Sequence, residues 1–344
     1  MKVHVMDLKP GDRLKADTFN NVGLHVLAQG TTIKDAEIAI LVRHSIDYVD
    51  IEQRNVSTLR ENAAFRQSLL KGSIDEAIET YESIFLESLT SGKFTQSMVD
   101  DTLRPLLKNL DNQGDVVSLL LMLELDHTNT YNHSLQVGLL SYYLAKWLGH
   151  TKSERYVISR AGYLHDIGKS QVPQAILNKK VLLNAELEEL KRHTTYGYEV
   201  IRNSMADATV PLVALQHHEF EDGTGYPNGI LQSDIHPYTR IVAVANIYIG
   251  MITSRNYQLK QSLITVLRKV NELGFGKLHA KTVQVLIWNM LPNFIGKSVR
   301  LSNGETGIIV MNNPTDIFKP LVQVDEQFRD LARERHLSVE EVFM

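Results

Sequence analysis

A His-Asp pair and a His-His pair stand about fifty residues apart in this chain, and a fold that uses both must bring them together. The first lies in Leu164-His165-Asp166-Ile167-Gly168-Lys169. The second opens His217-His218-Glu219-Phe220-Glu221-Asp222-Gly223-Thr224-Gly225-Tyr226-Pro227. An adjacent His-Asp pair offers a cation a neutral nitrogen and an anionic oxygen from one turn of backbone. The second string adds two imidazoles and a glycine-rich loop that lets backbone approach a ligand closely. The chain has no cysteine, so disulfides and thiolate metal sites are excluded. Any metal must sit among histidines and carboxylates, and thirteen histidines supply the candidates.

The 344 residues suffice for two or three domains, with ordinary hydrophobic (43%) and charged (22%) content for a globular protein. A net charge of -4 and a pI near 6.4 argue against a nucleic-acid backbone binder. Met1-Lys2-Val3-His4-Val5-Met6-Asp7 has no apolar stretch of signal-peptide length. The longest apolar runs are 116–123, broken by Ser118, and 241–252, broken by Asn246. Both are far short of a membrane span, so the expectation is a cytoplasmic protein with no membrane and no nucleic-acid partner.

Residues 1–55 read as a small strand-rich module. Val3-His4-Val5, 22–27 and Tyr48-Val49-Asp50-Ile51 are β-type runs punctuated by Pro10-Gly11 and Gln29-Gly30, and 35–44 has helical spacing. Residues 56–112 read as a connecting or dimerising helical hairpin, with an apolar stripe of Ile74, Ala77, Ile78, Tyr81, Ile84, Phe85 and Leu89. From 113 to 291 the pattern is helical throughout and holds the candidate ligands. In 292–344, Asn303-Gly304 between two apolar runs is a hairpin signal, and Leu321–Val324 adds a third strand. Residues 328–344 read as a closing helix.

The histidines fall into a pattern. His133 opens a helix running to Leu148 and lies near its mouth. His165-Asp166 follow an apolar run that Gly168 ends at once. His193 lies on a helix after Asn184, with Glu186 in its first turn. His217 and His218 end the helix at 210–216. Adjacent helical positions point about 100° apart, so both reach one site only near a helix end.

In this order the residues resemble the HD-GYP family of cyclic di-GMP phosphodiesterases, within the HD metal-dependent phosphohydrolase superfamily. The likeness covers roughly residues 120–290 and the flanking modules, including Val172-Pro173, Ile176-Leu177-Asn178-Lys179 and Arg240-Ile241. It implies a mainly α chain: an all-helical HD-type domain with a small N-terminal α/β module and a small C-terminal β module. It implies two divalent metal ions, iron or manganese favoured, held by His133, His165, Asp166, His193, His217 and His218, with Asn246 at a further ligand position. Asp166 would bridge the ions, and Asp166 and Lys169 would be the catalytic pair. Lys169 and Arg255 fall at phosphate-contacting positions, and Gly225-Tyr226-Pro227 is the loop that gives the family its name. Cyclic di-GMP is the implied partner, with a homodimer and a signalling protein as further ones.

The chain departs from the family pattern at Ala245-Asn246-Ile247-Tyr248-Ile249. Asn246 stands where the family has an Asp ligand, and Ile249 where it has a second Asp. Gln258 replaces a basic residue, and Asn129 stands where three-metal members carry Glu, so at most two metals are expected. A neutral ligand weakens metal binding. One reading is therefore a phosphodiesterase weakened by Asn246 and Ile249. The alternative is a catalytically degenerate protein acting as a nucleotide-binding or protein-interaction module. A hydrolase for another phosphate ester is a third reading, disfavoured by the Gly-Tyr-Pro loop.

Overall fold

The computed structural model describes residues 2–5, 8, 11–20, 23–44, 46–52, 56–110, 130–179, 181–253, 263–313 and 316–343. The side chains of 56–69 lie outside that description. The chain divides into two compact units, 1–69 and 70–344.

In the first unit, β1 (Lys2–His4) pairs antiparallel with β4 (Tyr48–Asp50), Val3 opposite Val49. The short strands β2 (Thr18–Phe19) and β3 (His25–Leu27) form a second ladder. Helix α1 (Asp35–Arg43) starts where Glu37 reaches back to accept the Lys34 backbone N–H at 3.0 Å. Val3, Val5, Leu14, Ile33, Leu41 and Ile51 are its buried centre. Gly11 and Gly30, in the two turns read from the sequence, take φ of 99° and 80°, where a side chain would be strained.

The second unit is built on helices. From Leu70 onward it includes α2 (Val56–Ser91), then α3 (Gln96–Leu110), α4 (Thr130–Trp147) and α5 (Lys152–Leu164). The α2 stripe is buried at Ile74, Ala77, Tyr81, Ile84 and Phe85, whereas Leu89 is exposed and Ser88 takes the inward position. Tyr163 of α5 donates to the Ala77 carbonyl at 2.5 Å, and Gln171 donates to the Ser88 carbonyl at 2.6 Å. The hairpin thus shares one apolar core with the helices that follow.

Helices α4 and α5 meet through glycines. A Cβ on Gly162 would lie 2.8 Å from Ser141 Oγ and 3.1 Å from Gly138 Cα. This close approach sets the start of α4, carrying His133, beside the end of α5, carrying His165. Thr151 and Glu154 cap α5 reciprocally, each side chain taking the other's backbone N–H. The short α6 (Gln174–Leu177) and α7 (Asn184–Lys191) lead to α8 (His193–Ser204), α9 (Thr209–Gln216), α10 (Pro237–Thr253), α11 (Leu263–Leu273) and α12 (Ala280–Met290). Among the described residues, no helix is long and apolar enough to cross a membrane.

The C-terminal sheet corrects one expectation. Its antiparallel strands β5 (Ser298–Leu301), β6 (Thr306–Met311), β7 (Leu321–Val324), β8 (Gln327–Asp330) and β9 (Val339–Phe343) lie in the order β8-β7-β6-β5-β9. The Asn303-Gly304 hairpin forms as read, with Gly304 at φ 87°. The helix expected over 328–344 does not form: the segment gives β8 and, after a turn, β9. Val342 pairs with Val299, and Arg300 binds Glu341 at 2.9 Å. The sheet edge offered by β5 outweighs the helical preference of the short Val339-Glu340-Glu341-Val342 run.

Candidate metal centre

Five segments converge on Asp166. His133 comes from the first turn of α4, and His165-Asp166 from the end of α5. A 3-10 turn, Ile167–Gln171, carries Lys169. His193 comes from the start of α8, and His217-His218 from the end of α9. The helix expected to run from Asn184 through His193 breaks at Arg192, so His193 opens a helix of its own. Gly168 permits the convergence. A Cβ there would lie 2.0 Å from the His193 carbonyl oxygen and 2.2 Å from the Gly197 nitrogen.

The Asp166 carboxylate is 1% exposed, and its two oxygens face different partners. Oδ2 lies 3.3 Å from His165 Nε2, 3.9 Å from His133 Nε2 and 2.5 Å from Lys169 Nζ. Oδ1 lies 3.3 Å from His193 Nε2 and 3.8 Å from His217 Nε2. His133, His165 and Asp166 place their ligand atoms within 4.8 Å of one another, and so do His193, His217 and His218.

The backbone fixes which ring nitrogen is offered. Nδ1 of His165, His193 and His217 faces the carbonyl three residues back: Gly162 at 2.7 Å, Leu190 at 2.6 Å and Ala214 at 2.8 Å. A carbonyl only accepts, so each Nδ1 carries the proton and each neutral ring presents a bare Nε2 inward. His193 Nε2 and His217 Nε2 are then two lone pairs 3.3 Å apart. His165 Nε2 and Asp166 Oδ1 are buried without a hydrogen-bond partner. Facing lone pairs and orphaned acceptors around a carboxylate are costly by themselves, and cations among them remove the cost. The donor set fits divalent metal.

Burial pulls His133 and His193 down to about 4 and His217 and His218 well below the ordinary imidazole value. The rings are therefore neutral at pH 7, as ligation requires. Burial alone would raise the Asp166 carboxyl, but the Lys169 ammonium beside it holds it well below the usual range.

The depressed imidazoles predict a pH dependence of stability. Between pH 6.5, the unperturbed value, and about 4, the unfolded chain binds protons that folded His133 and His193 do not. Stability is thus greatest above pH 6.5 and falls with pH towards 4. The shift at His193, 2% exposed, corresponds to roughly 3 kcal/mol. Melting curves in chelator should show a lower midpoint at pH 5 than at pH 7.5; equal midpoints would contradict it.

Asn246 lies on α10, 8% exposed, with Oδ1 2.9 Å from His133 Nε2. To ligate, His133 must give up any proton on that nitrogen, and Asn246 must turn its oxygen to the same cation. Ile249 is fully buried in the apolar core.

Tyr226 stacks on His218, ring centroids 4.5 Å apart and planes at 20°, and its N–H donates to the His218 carbonyl at 3.1 Å. Lys191 Nζ lies 5.6 Å from the Tyr226 ring centroid. Gly225 must be glycine, because a Cβ would sit 2.4 Å from Glu219 Cα and Phe220 N. Glu219, 2% exposed, accepts the backbone N–H groups of Asn228 at 2.7 Å and Ile230 at 3.2 Å, pinning the loop that holds Pro227. Sequence reasoning gave Glu219 no role; its signal was a carboxylate next to the His pair and ahead of a loop needing donors tied down. Lys169 engages Asp166. Arg255, Gln258 and Asn129 lie outside the described residues.

Residues 115–273 match the HD domain family model, so the helical region around the site is an HD domain. Over and around that stretch the chain is similar to cyclic dinucleotide phosphodiesterases. It is 35% identical over 173 residues to a cyclic di-GMP phosphodiesterase of Thermotoga maritima, covering 49% of this chain and 47% of that protein. It is 31% identical over 207 residues to a cyclic di-GMP phosphodiesterase of Pseudomonas aeruginosa, covering 60% and 50%. A 3'3'-cGAMP-specific phosphodiesterase of Vibrio cholerae is 32% identical over 162 residues, covering 46% and 38%. The chain therefore spans about half or less of the length of these relatives. Among solved structures, Bd1817, an HDG"Y"P protein from Bdellovibrio bacteriovorus, is 18% identical with a TM-score of 0.45, over 83% of this chain and 97% of that one.

Proposed function

We propose that this chain is a metal-dependent phosphodiesterase that hydrolyses cyclic di-GMP, slowed by the neutral Asn246, with Ile249 packed into the apolar core. The observation that carries the reading is the division of Asp166, whose two oxygens face two imidazole sets. That arrangement suits two ions with one bridging carboxylate. His133 and His165 would hold one ion, with the neutral Asn246 oxygen beside them. His193, His217 and His218 would hold the other. Imidazole and carboxylate ligands suit several divalent metals, and the family likeness favours iron or manganese among them. When bound, such a pair supplies Lewis-acid charge and an activated water at a phosphodiester.

The chain's own groups do the rest. Three backbone carbonyls lock the His165, His193 and His217 tautomers, so these three rings need no reorganisation on loading. Lys169, a quarter exposed, balances Asp166 and reaches from it towards a phosphate oxygen. Arg255 is a second phosphate contact by its place in the family pattern. Gly225-Tyr226-Pro227 walls the site, with Tyr226 over His218.

The relatives support the phosphodiesterase class and divide on substrate, some named for cyclic di-GMP and others for 3'3'-cGAMP. Metal-loaded protein given each dinucleotide separately should linearise cyclic di-GMP faster, as read by product formation. Faster turnover of 3'3'-cGAMP would reassign the substrate. Binding of cyclic di-GMP without linear product, at full metal content, would favour the nucleotide-binding module, the reading that the neutral Asn246 and apolar Ile249 support.

A further inference from the structure

We propose that the groove between α3 and α5 is a second ligand site, for an organic phosphate of nucleotide size. The groove holds about 590 Å³, within the range of small-molecule sites. Arg104 and Lys108 project from one face of α3, and Lys152 from the start of α5, with Leu107, Val157 and Tyr156 between them. The Arg104 guanidinium lies 4.1 Å from the Tyr156 ring centroid.

Two cations of this groove stand without a counter-charge among the described residues. Arg160 also lines it, but its guanidinium is held by Asp100 at 3.2 Å and Asp207 at 2.7 Å, so its charge is compensated. Tyr156 donates its hydroxyl to the same Asp100. Among the described residues, Arg104 and Lys108 make no ion pair. They are exposed, one helical turn apart, and like charges at that spacing repel. An anion between Arg104 and Lys108 relieves the repulsion, and the half-buried Tyr156 and Val157 side chains receive its apolar part. A phosphate monoester with an attached ring system has that chemistry.

This site is separate from the metal centre. Lys152 precedes His165 by thirteen residues of α5, a rise of about 20 Å. The groove lines the first two thirds of α5, from Lys152 to Arg160, ahead of the end that delivers the His-Asp pair, and the site does not depend on catalysis.

The probe is GMP, titrated calorimetrically into the full chain carrying Asp166→Ala, which disables the metal centre. Saturable binding is expected, weakened at least about tenfold by adding Arg104→Gln and Lys108→Gln, with circular dichroism unchanged. Should Asp166→Ala not fold, the metal-loaded native chain serves: the Arg104→Gln, Lys108→Gln pair should then remove one class of GMP site and leave metal content unchanged. Inorganic phosphate should bind at least about tenfold more weakly than GMP. No saturable GMP binding away from the metal centre, or binding indifferent to the double change, overturns the site. Equal affinity for phosphate and GMP overturns the organic-phosphate assignment.

Discussion

Asp166→Ala should empty both metal positions at once. The two oxygens of this carboxylate face the two imidazole sets separately, at 3.3 Å from His165 Nε2 and 3.3 Å from His193 Nε2. Removing it deletes the one anionic ligand common to both. The loss should exceed the 10–100-fold typical of changes one shell further out. The fold should survive, because the stranded Lys169 is a quarter exposed and can turn to water. His193→Ala makes the contrast: it removes a donor from one set and should leave the other ion bound. Elemental analysis of the two variants separates the cases. An Asp166→Ala protein that keeps one ion would mean the carboxylate is not a bridge.

The second large effect is expected at Asn246. Asn246→Asp puts an anionic oxygen beside His133 at nearly equal volume. Metal retention against chelator should rise at least about tenfold, and turnover of cyclic di-GMP with it. Adding Ile249→Asp should give no further gain. Ile249 is fully buried among apolar side chains, so a carboxylate there is an unpaired buried charge costing on the order of several kcal/mol. The double variant should melt lower than Asn246→Asp alone and turn over no faster. Native protein as fast as Asn246→Asp would show that the neutral ligand is tolerated.

The clustering was legible in part: His165-Asp166 and His217-His218 stand out by residue type, the family likeness added His133 and His193, and the structure brings all of them together. The helical class was legible because α2 keeps its apolar spacing through Ile74, Tyr81 and Phe85. What escaped depended on distant partners or on backbone. The carbonyls of Gly162, Leu190 and Ala214 that fix the tautomers carry no side-chain signature. Glu219 acts through donors nine and eleven residues away, which exist only once the loop closes. Residues 339–343 are too short for periodicity to decide helix against strand, and the pairing with β5 that decides it lies about forty residues back. The break at Arg192 was hidden because both flanking segments are helical and no glycine or proline marks it.

The central claim is a two-metal site divided by Asp166. Its most direct measurement is elemental analysis of native protein, grown in iron- and manganese-supplemented medium and purified without chelator. About two ions per chain, iron or manganese, are expected, falling together in Asp166→Ala. Fewer than roughly half an ion per chain in the native protein would contradict it.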